Sequence, residues 1–562
     1  MIKLSERIFL ALIIVTFLIP APLTLWIHYG NPPQQADWIA NRTLYGVTIE
    51  KKVPPASLAS WLDGNLQKGL NTLAGDNFAG RELLIRVYNQ VLYRAFQKSY
   101  MYLELIIRGK HGNLFEHNCV LACDGFQEPV PNTEAEAQVV MMKYLSERLK
   151  QLGSSFAFVI APSKVTMFPE EIPDRYLQKI KSGERRPANY DILVPLLQRY
   201  RVPYVDGRVI TLEHKDTFPV RAFPKTGIHW TRAVAFFTTA ALLKTIGQES
   251  GRETPQLSES VDSVDQHPDY TDDDLFNLLN LIERPNQRYL HPNFQIPKDW
   301  PRRIGTLTIV GSSFTSAILK IFDSAQIFER MNQYNYFNIS RVRYPGQTVS
   351  SVDENAVPWE EDFWNTRAVV LEANEESLGG RHIPAFLMAE LAALQRNMPQ
   401  ERGVDDPPRP LAWGFGAGEN GSALSKKGFS NPEHQLTWMT GQDAEIDLPS
   451  PATNTELQLI LEAMPFPIDG VAGRTVNVKA NGIPVGSFAV VDPSVQFYSL
   501  SIKAVANPAP SLKLYFSFSR ARGPATDSKT PEIGLYRLAL VPMGTPPGQE
   551  TGANHATAMN RK

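Results

Sequence analysis

Two short stretches of this chain carry the residue types that acyl transfer needs. The first, Thr306-Leu-Thr-Ile-Val-Gly-Ser-Ser-Phe-Thr315, reads as a buried strand ending at Gly311, a turn, and a helix beginning at about Ser313. A serine there presents its hydroxyl at the rim of a sheet, where the N–H groups of a helix start can receive an oxyanion. The second, Phe223-Pro-Lys-Thr-Gly-Ile-His-Trp-Thr231, places His229 in a loop just ahead of an apolar helix. A serine hydroxyl is a weak nucleophile until a base takes its proton, and histidine is the side chain suited to that near neutral pH. Alone, each stretch has a plainer reading, because a serine before a helix is usually an N-cap and a histidine beside tryptophan usually belongs to the core. Together they single out Ser313 as nucleophile and His229 as its base.

These residues need a scaffold, and the hydrophobic pattern supplies one. A helix over Val139 to Leu152, with Thr133 and Glu136 as a capping box and Gly153 as its stop, leads into the apolar run Phe156-Ala-Phe-Val-Ile160. Such a run is the mark of a strand buried on both faces. The alternation recurs: helix Tyr190 to Tyr200, strand Val202 to Val205, helix Thr231 to Ile246, strand Thr306 to Val310, helix Ser313 to Phe322, strand Ala368 to Leu371 and helix Pro384 to Arg396. This order predicts an α/β domain with a mostly parallel sheet, whose active site sits at the carboxyl ends of the strands. Leu105-Ile-Ile107 followed by Gly109-Lys-His-Gly112 predicts a strand entering a hairpin. Gln248 to Pro301 reads as an irregular insertion with one short helix, and its Asp272-Asp-Asp274 as a solvated helix start. Beyond about Asp405 short β-type runs take over, with Asn481-Gly482 as a hairpin turn, and predict an antiparallel β-sandwich.

Composition bounds the rest. A chain of 562 residues implies more than one core. Its net charge of −2 offers no footprint for nucleic acid. Lys3 and Arg7 precede an uncharged run from Ile8 to Ile27, long enough to span about 30 Å of hydrocarbon. The run is expected to be an uncleaved signal anchor, with the body outside the cytoplasm by the positive-inside rule. Cys119 and Cys123 are the only cysteines, and in an exported protein they read as a small disulfide loop. Two ligands make no closed metal site, so neither metal nor cofactor is expected. The predicted organisation is an anchor over 1–30, a juxtamembrane stalk over 31–70, the α/β domain over 71–404, the sandwich over 405–545 and a disordered tail over 546–562.

From roughly Asn77 to Arg396 the chain resembles the alginate O-acetyltransferase family of AlgJ and AlgX type. The resemblance rests on Asn77-Phe-Ala-Gly-Arg-Glu82, Gly109-Lys-His-Gly-Asn-Leu-Phe115, Val159-Ile-Ala-Pro-Ser-Lys164, His229-Trp230, Gly311-Ser-Ser-Phe314 and Val370-Leu-Glu-Ala-Asn-Glu375, in that order. It implies an SGNH-hydrolase-like fold in which Ser313 forms an acyl-enzyme and His229 is the base. It also implies a polysaccharide substrate, a multi-spanning membrane acyltransferase as acetyl-donor partner, and a place at the bacterial inner membrane facing the periplasm. The β-rich region is similar to the carbohydrate-binding sandwich of some members. Family members commonly carry aspartate two residues before the histidine; that position here is Gly227. Asp206, Glu372 and Glu375 are the candidates to replace it. Ser312 stands where many SGNH enzymes have aspartate. Gly227 also motivates a rival reading, a non-catalytic polysaccharide-binding factor with a decayed site, and an acetyl esterase would use the same residues.

Overall fold

The computed structural model describes residues 44–47, 56–77, 80–96, 105–123, 128–178, 186–217, 220–300 (except 266), 303–398, 408–466 (except 452 and 453), 474–507, 510–520 and 531–544, with Pro22 and Ser182 as isolated positions. The expected anchor from Ile8 to Ile27, apart from Pro22, and the expected tail lie outside the described residues. Among the described residues no helix is long and apolar enough to cross a membrane.

The chemistry-bearing scaffold is a seven-stranded sheet. Its strands in chain order are β1 (Ser155–Ala161), β2 (Tyr204–Asp206), β3 (Thr306–Gly311), β4 (Arg330–Asn335), β5 (Ser340–Tyr344), β6 (Thr348–Ser350) and β7 (Ala368–Asn374), and they lie side by side as β6-β5-β4-β3-β7-β1-β2. The pairs β4/β3, β3/β7, β7/β1 and β1/β2 are parallel, and β5 and β6 add an antiparallel edge. Every residue of β1 and β7 is buried. Continuous apolar runs are what a strand covered on both faces requires. Helices Asn132–Gln151 and His382–Asn397 join one core cluster with Phe156, Phe158 and Val369, while Arg232–Ser250 and Thr315–Ser324 join a second with Ala157, Val159 and Val370. Side chains alternating along a strand thus feed two different layers.

Several expectations change in detail. Helix Asn132–Gln151 starts after Pro131, so the Thr133–Glu136 capping box is not formed. Glu136 instead accepts from the Tyr200 hydroxyl at 2.6 Å. From Ser57 onward the helical period of the sequence is realised as helices Leu58–Leu62 and Asn65–Asn77, the second running past the expected end of the stalk; Ser57 caps the first by accepting from the Ser60 N–H. The insertion is more ordered than expected: strands Ser258–Asp265 and Tyr289–Gln295 form an antiparallel ribbon around helix Asp274–Leu278. The hairpin of Ile106–Arg108 with Leu114–Glu116 forms as the sequence implies. The disulfide expectation falls on Cys123, whose side chain lies outside what is described; Cys119 is buried with its thiol 3.9 Å from Glu116 Oε2.

The C-terminal region forms two five-stranded antiparallel sheets with a core of their own. Asn481 and Gly482, at φ 48° and 83°, make the turn between Arg474–Ala480 and Ile483–Val490, the left-handed pair that a type I′ hairpin demands. The sandwich also shares a core with the α/β unit, because Ala412, Ile460, Ala539 and Val541 pack in the cluster that contains Phe386 and Leu387. At that seam Arg537 bonds Glu462 Oε2 at 2.6 Å and also pairs with Glu354 of the α/β unit. Arg537→Ala strands the buried Glu462 carboxylate. The expected cost is about 3–5 kcal/mol, the range for breaking one side of a buried pair. Urea denaturation of the two proteins checks it, and a shift under about 1 kcal/mol would contradict the role given to this pair.

Candidate active site

Residues from separate parts of the chain converge at the carboxyl edge of the sheet. β3 ends at Gly311, and Ser313 follows it in the turn before helix Thr315–Ser324. His229 comes from the loop ahead of helix Arg232–Ser250. The two meet directly: Ser313 Oγ lies 2.8 Å from His229 Nε2. Behind the imidazole, Nδ1 is 2.5 Å from Asp274 Oδ2. An ionised carboxylate only accepts, so Nδ1 carries the proton and Nε2 is left to accept from the serine. Asp274 is itself held, since its Oδ1 accepts from the Ile228 N–H at 2.9 Å and from the Leu275 N–H at 2.7 Å.

Asp274 is the member that sequence reasoning missed. The run Asp272-Asp-Asp274 is not a solvated helix start: Asp272 and Asp273 are buried, and Asp273 bonds the Tyr289 hydroxyl at 2.6 Å. The three carboxylates proposed from sequence are engaged elsewhere. Asp206 caps helix Gly207–His214 and accepts from the Tyr190 hydroxyl at 2.7 Å. Glu375 accepts from the Ser163 N–H at 2.8 Å and the Thr166 hydroxyl at 2.6 Å. Glu372 serves the nucleophile turn, accepting from the Ser312 N–H at 2.6 Å and the Ser312 hydroxyl at 2.9 Å.

Gly227 is what lets Asp274 arrive. The segment 226–228 lies against 272–276 through three bonds: Thr226 Oγ1 to Asp272 O at 2.8 Å, Phe276 N–H to Thr226 O at 2.9 Å, and the Ile228 bond to Asp274. A Cβ on Gly227 would sit 2.6 Å from Asp272 O and 2.8 Å from Thr271 O. No side chain fits there, so an aspartate at this position is sterically incompatible with this approach. The acid reaches the imidazole from the 272–276 segment instead.

Two further groups fix the frame. Lys164 is fully buried, and its Nζ shares three N–H bonds among carbonyl oxygens of Leu114, Pro224, Lys225 and Gly227 at 2.9, 2.5, 3.1 and 2.8 Å. It thereby rivets the first hairpin to the loop that carries His229. Burial pulls its ammonium pKa well below the ordinary lysine value, and the four carbonyls supply the solvation that water would. On the other side of the nucleophile stands Tyr336, whose phenol burial raises above the ordinary tyrosine pKa against the opposing pull of Ser313. Its ring stands edge-on to His382 at 5.6 Å. Tyr336 and Phe337 hold φ of 47° and 67°, a region costly for aromatic residues that persists where surroundings impose it.

Glu116, Cys119 and Glu376 bring three ligand-type atoms within 4.8 Å of one another. Burial raises both carboxyls, Glu376 to about 7. The raised carboxyls carry less charge than free ones, and three such donors fall short of a closed structural site.

No protein-family model and no curated protein matches the chain. Among solved structures, it is similar to the O-acetyltransferase domain of Pseudomonas putida AlgJ, with 16% identity over 49% of this chain and 92% of that one and a TM-score of 0.32. Pseudomonas aeruginosa AlgX aligns with 13% identity over 75% of this chain and 97% of its own, with a TM-score of 0.34. The C-terminal CBM6 domain of the laminarinase LamC from Zobellia galactanivorans aligns with 7% identity over 24% of this chain and 99% of its own, with a TM-score of 0.17. At these identities and scores the likenesses carry no argument about chemistry, which rests on the geometry above.

Two outcomes follow from that geometry. Gly227→Asp is expected to lower any Ser313-dependent turnover by at least about tenfold by displacing Asp274, since misplacing a catalytic group by about 1 Å can cost 10²-fold. Steady-state kinetics decide, and a gain in rate would refute the steric account. Burial pushes the Glu372 carboxyl up to about 8. Because this folded-state pKa is raised, its contribution to stability is complete below the ordinary carboxylate pKa and is lost as pH rises through about 8. Thermal melts across that window should show this loss in the native protein and a flatter profile in Glu372→Gln. Identical profiles would remove Glu372 from the account.

Proposed function

We propose that the protein is a serine-dependent O-acetyltransferase that moves acetyl groups onto hydroxyls of a secreted polysaccharide. The single observation that carries this reading is the hydrogen-bonded series Ser313–His229–Asp274. In the first half-reaction Ser313 Oγ attacks the acetyl carbonyl while His229 Nε2 takes the hydroxyl proton and Asp274 stabilises the imidazolium. In this proposal the tetrahedral oxyanion is received by the Ser313 N–H, with the Tyr336 O–H turned to it as a second donor. Burial raises the Tyr336 phenol above the ordinary tyrosine pKa, which keeps its proton in place to donate. The intermediate collapses to acetyl-Ser313 as His229 returns its proton to the departing group. In the second half a sugar hydroxyl gives its proton to His229 and attacks the acetyl carbonyl, and His229 returns the proton to Ser313 Oγ as the Ser313–acetyl bond breaks and the O-acetyl sugar leaves.

The sandwich supports a polymeric acceptor by position. Phe497, on its strand Gln496–Ile502, lies under the Arg381 guanidinium at 5.9 Å, and Arg381 adjoins His382, which touches Tyr336. Phe488 and Tyr498 stack at 4.5 Å, packed against the sandwich core with part of each ring left accessible. A polymer held there reaches the serine at high effective concentration. The membrane-anchored, periplasm-facing arrangement and the multi-spanning acetyl-donor partner belong to the same proposal and draw on the Ile8–Ile27 run and the sequence resemblance.

The test is acetyl release from a chromogenic acetyl ester, with and without oligosaccharide, for the native chain, Ser313→Ala and Tyr336→Phe. Expected are loss of turnover in Ser313→Ala, a drop of about 10²-fold in kcat for Tyr336→Phe as for other oxyanion donors, and sugar acetylation at the expense of hydrolysis. Hydrolysis unaffected by any oligosaccharide would favour an esterase. Background rates in both native protein and Ser313→Ala, with sugar binding intact, would favour the binding factor.

A further inference from the structure

Helix Arg81–Ala95 is built the wrong way round for a soluble protein. Leu84, Val87, Tyr88 and Val91 recur at the spacing that normally marks a core stripe, yet they are 53%, 42%, 50% and 53% exposed. The opposite face docks through polar bonds. Arg86 Nη1 donates to Leu281 O at 3.1 Å, the buried Asn89 amide donates to Leu279 O at 3.1 Å, and Gln90 Oε1 accepts from the N–H groups of Ile282 and Glu283 at 3.1 and 3.0 Å. Tyr93 packs against the core beside these polar groups, while Leu84, Val87, Tyr88 and Val91 face away from it. The segment they hold, 279–283, follows the helix that begins at Asp274. Beside the stripe, Phe96 is 63% exposed, and helix Leu58–Leu62 exposes Leu58, Trp61 and Leu62 in the same manner.

We infer that this outward face lies on a lipid bilayer surface. The chain itself argues for lipid over a soluble partner. Outside the described residues it carries the uncharged run Ile8–Ile27 behind Lys3 and Arg7, and the exposed helices are the first described helices after it. The 30 residues between Ile27 and Leu58 span at most about 100 Å when extended, so an anchored body stays within reach of the membrane. A helix that lies in the interface presents aliphatic and aromatic residues to the acyl chains and basic residues at the rim. Here Trp61 and Tyr88 supply the rings, Arg94, which also pairs with Glu283, follows the stripe on the same helix, and the four stripe residues include no acid. The same helix grips the segment after Asp274, so the docked face would hold the catalytic side of the sheet near the bilayer from which a donor is supplied. This inference rests on the membrane-anchored part of the proposed function.

The test places a photo-crosslinking benzoylphenylalanine at Val91 of the full chain, reconstituted into phosphatidylethanolamine and phosphatidylglycerol vesicles, with Val505, 72% exposed on the sandwich, as the comparison site. After irradiation, intact mass is expected to show single-lipid adducts at position 91, at least fivefold more abundant than at position 505. Crosslinked dimers would assign the face to a second copy, and adducts to 8–27 to the chain's own apolar segment. Either result, or equal lipid adducts at both positions, overturns the inference. Turnover of the chromogenic ester by the same sample reports separately on the enzymatic reading, and vesicle flotation reports on the anchor.

Discussion

The site depends on one close approach: the backbone of 226–228 pressed against 272–276, possible only because residue 227 has no side chain. Three backbone or hydroxyl bonds hold the two segments together, and from that pairing Asp274 reaches His229 while accepting from Ile228. The imidazole is thus oriented by an acid that arrives on an insertion between the sheet's second and third strands. Asp274 spends one carboxylate oxygen on backbone and the other on Nδ1, which leaves it little freedom to rotate.

Around that contact the rest of the architecture is a means of holding loops still. Lys164 gathers four carbonyls from two loops into one cage, and Glu372 reaches up from the fully buried β7 to fix Ser312. Gly311 belongs to the same arrangement, since a Cβ there would lie 2.5 Å from Glu372 Oε2. Each of these groups is a buried polar side chain whose partners are backbone atoms of a catalytic loop. Such networks cost free energy to bury and return it as a single defined geometry. The sandwich, joined through a shared apolar seam and the Arg537 ion pairs, sets a second surface at a fixed position relative to the serine.

Much of the α/β scaffold was legible in the sequence because a strand buried on both faces has no choice but to be apolar. Phe156 to Ile160 and Ala368 to Leu371 announce themselves in that way. Ser313 and His229 were legible because acyl chemistry needs their types at strand-to-helix junctions. The strands Arg330–Asn335 and Ser340–Tyr344 gave no such signal: Asn332, Gln333 and Tyr334 are buried polar residues that donate to Thr308, Thr315 and Asp362. Hydropathy cannot see a burial that hydrogen bonds make affordable. Asp274 was hidden for a related reason, since three aspartates before Leu275 resemble any exposed helix start. Their only hint is that apolar Leu275-Phe276 and Leu278-Leu279 follow at once, which implies that the start of that helix is itself drawn inward. The outward apolar stripe of Arg81–Ala95 is a mirror case, where the period is plain and the side it faces is not.

The most direct measurement of the central claim is the covalent state of Ser313 during turnover. Rapid mixing of the protein with a chromogenic acetyl ester, acid quench and peptide mass mapping should find one acetyl group, on the peptide bearing Ser313, at a level that falls when oligosaccharide is added. An acetyl group on another residue, or turnover with Ser313 never acetylated, would contradict the account.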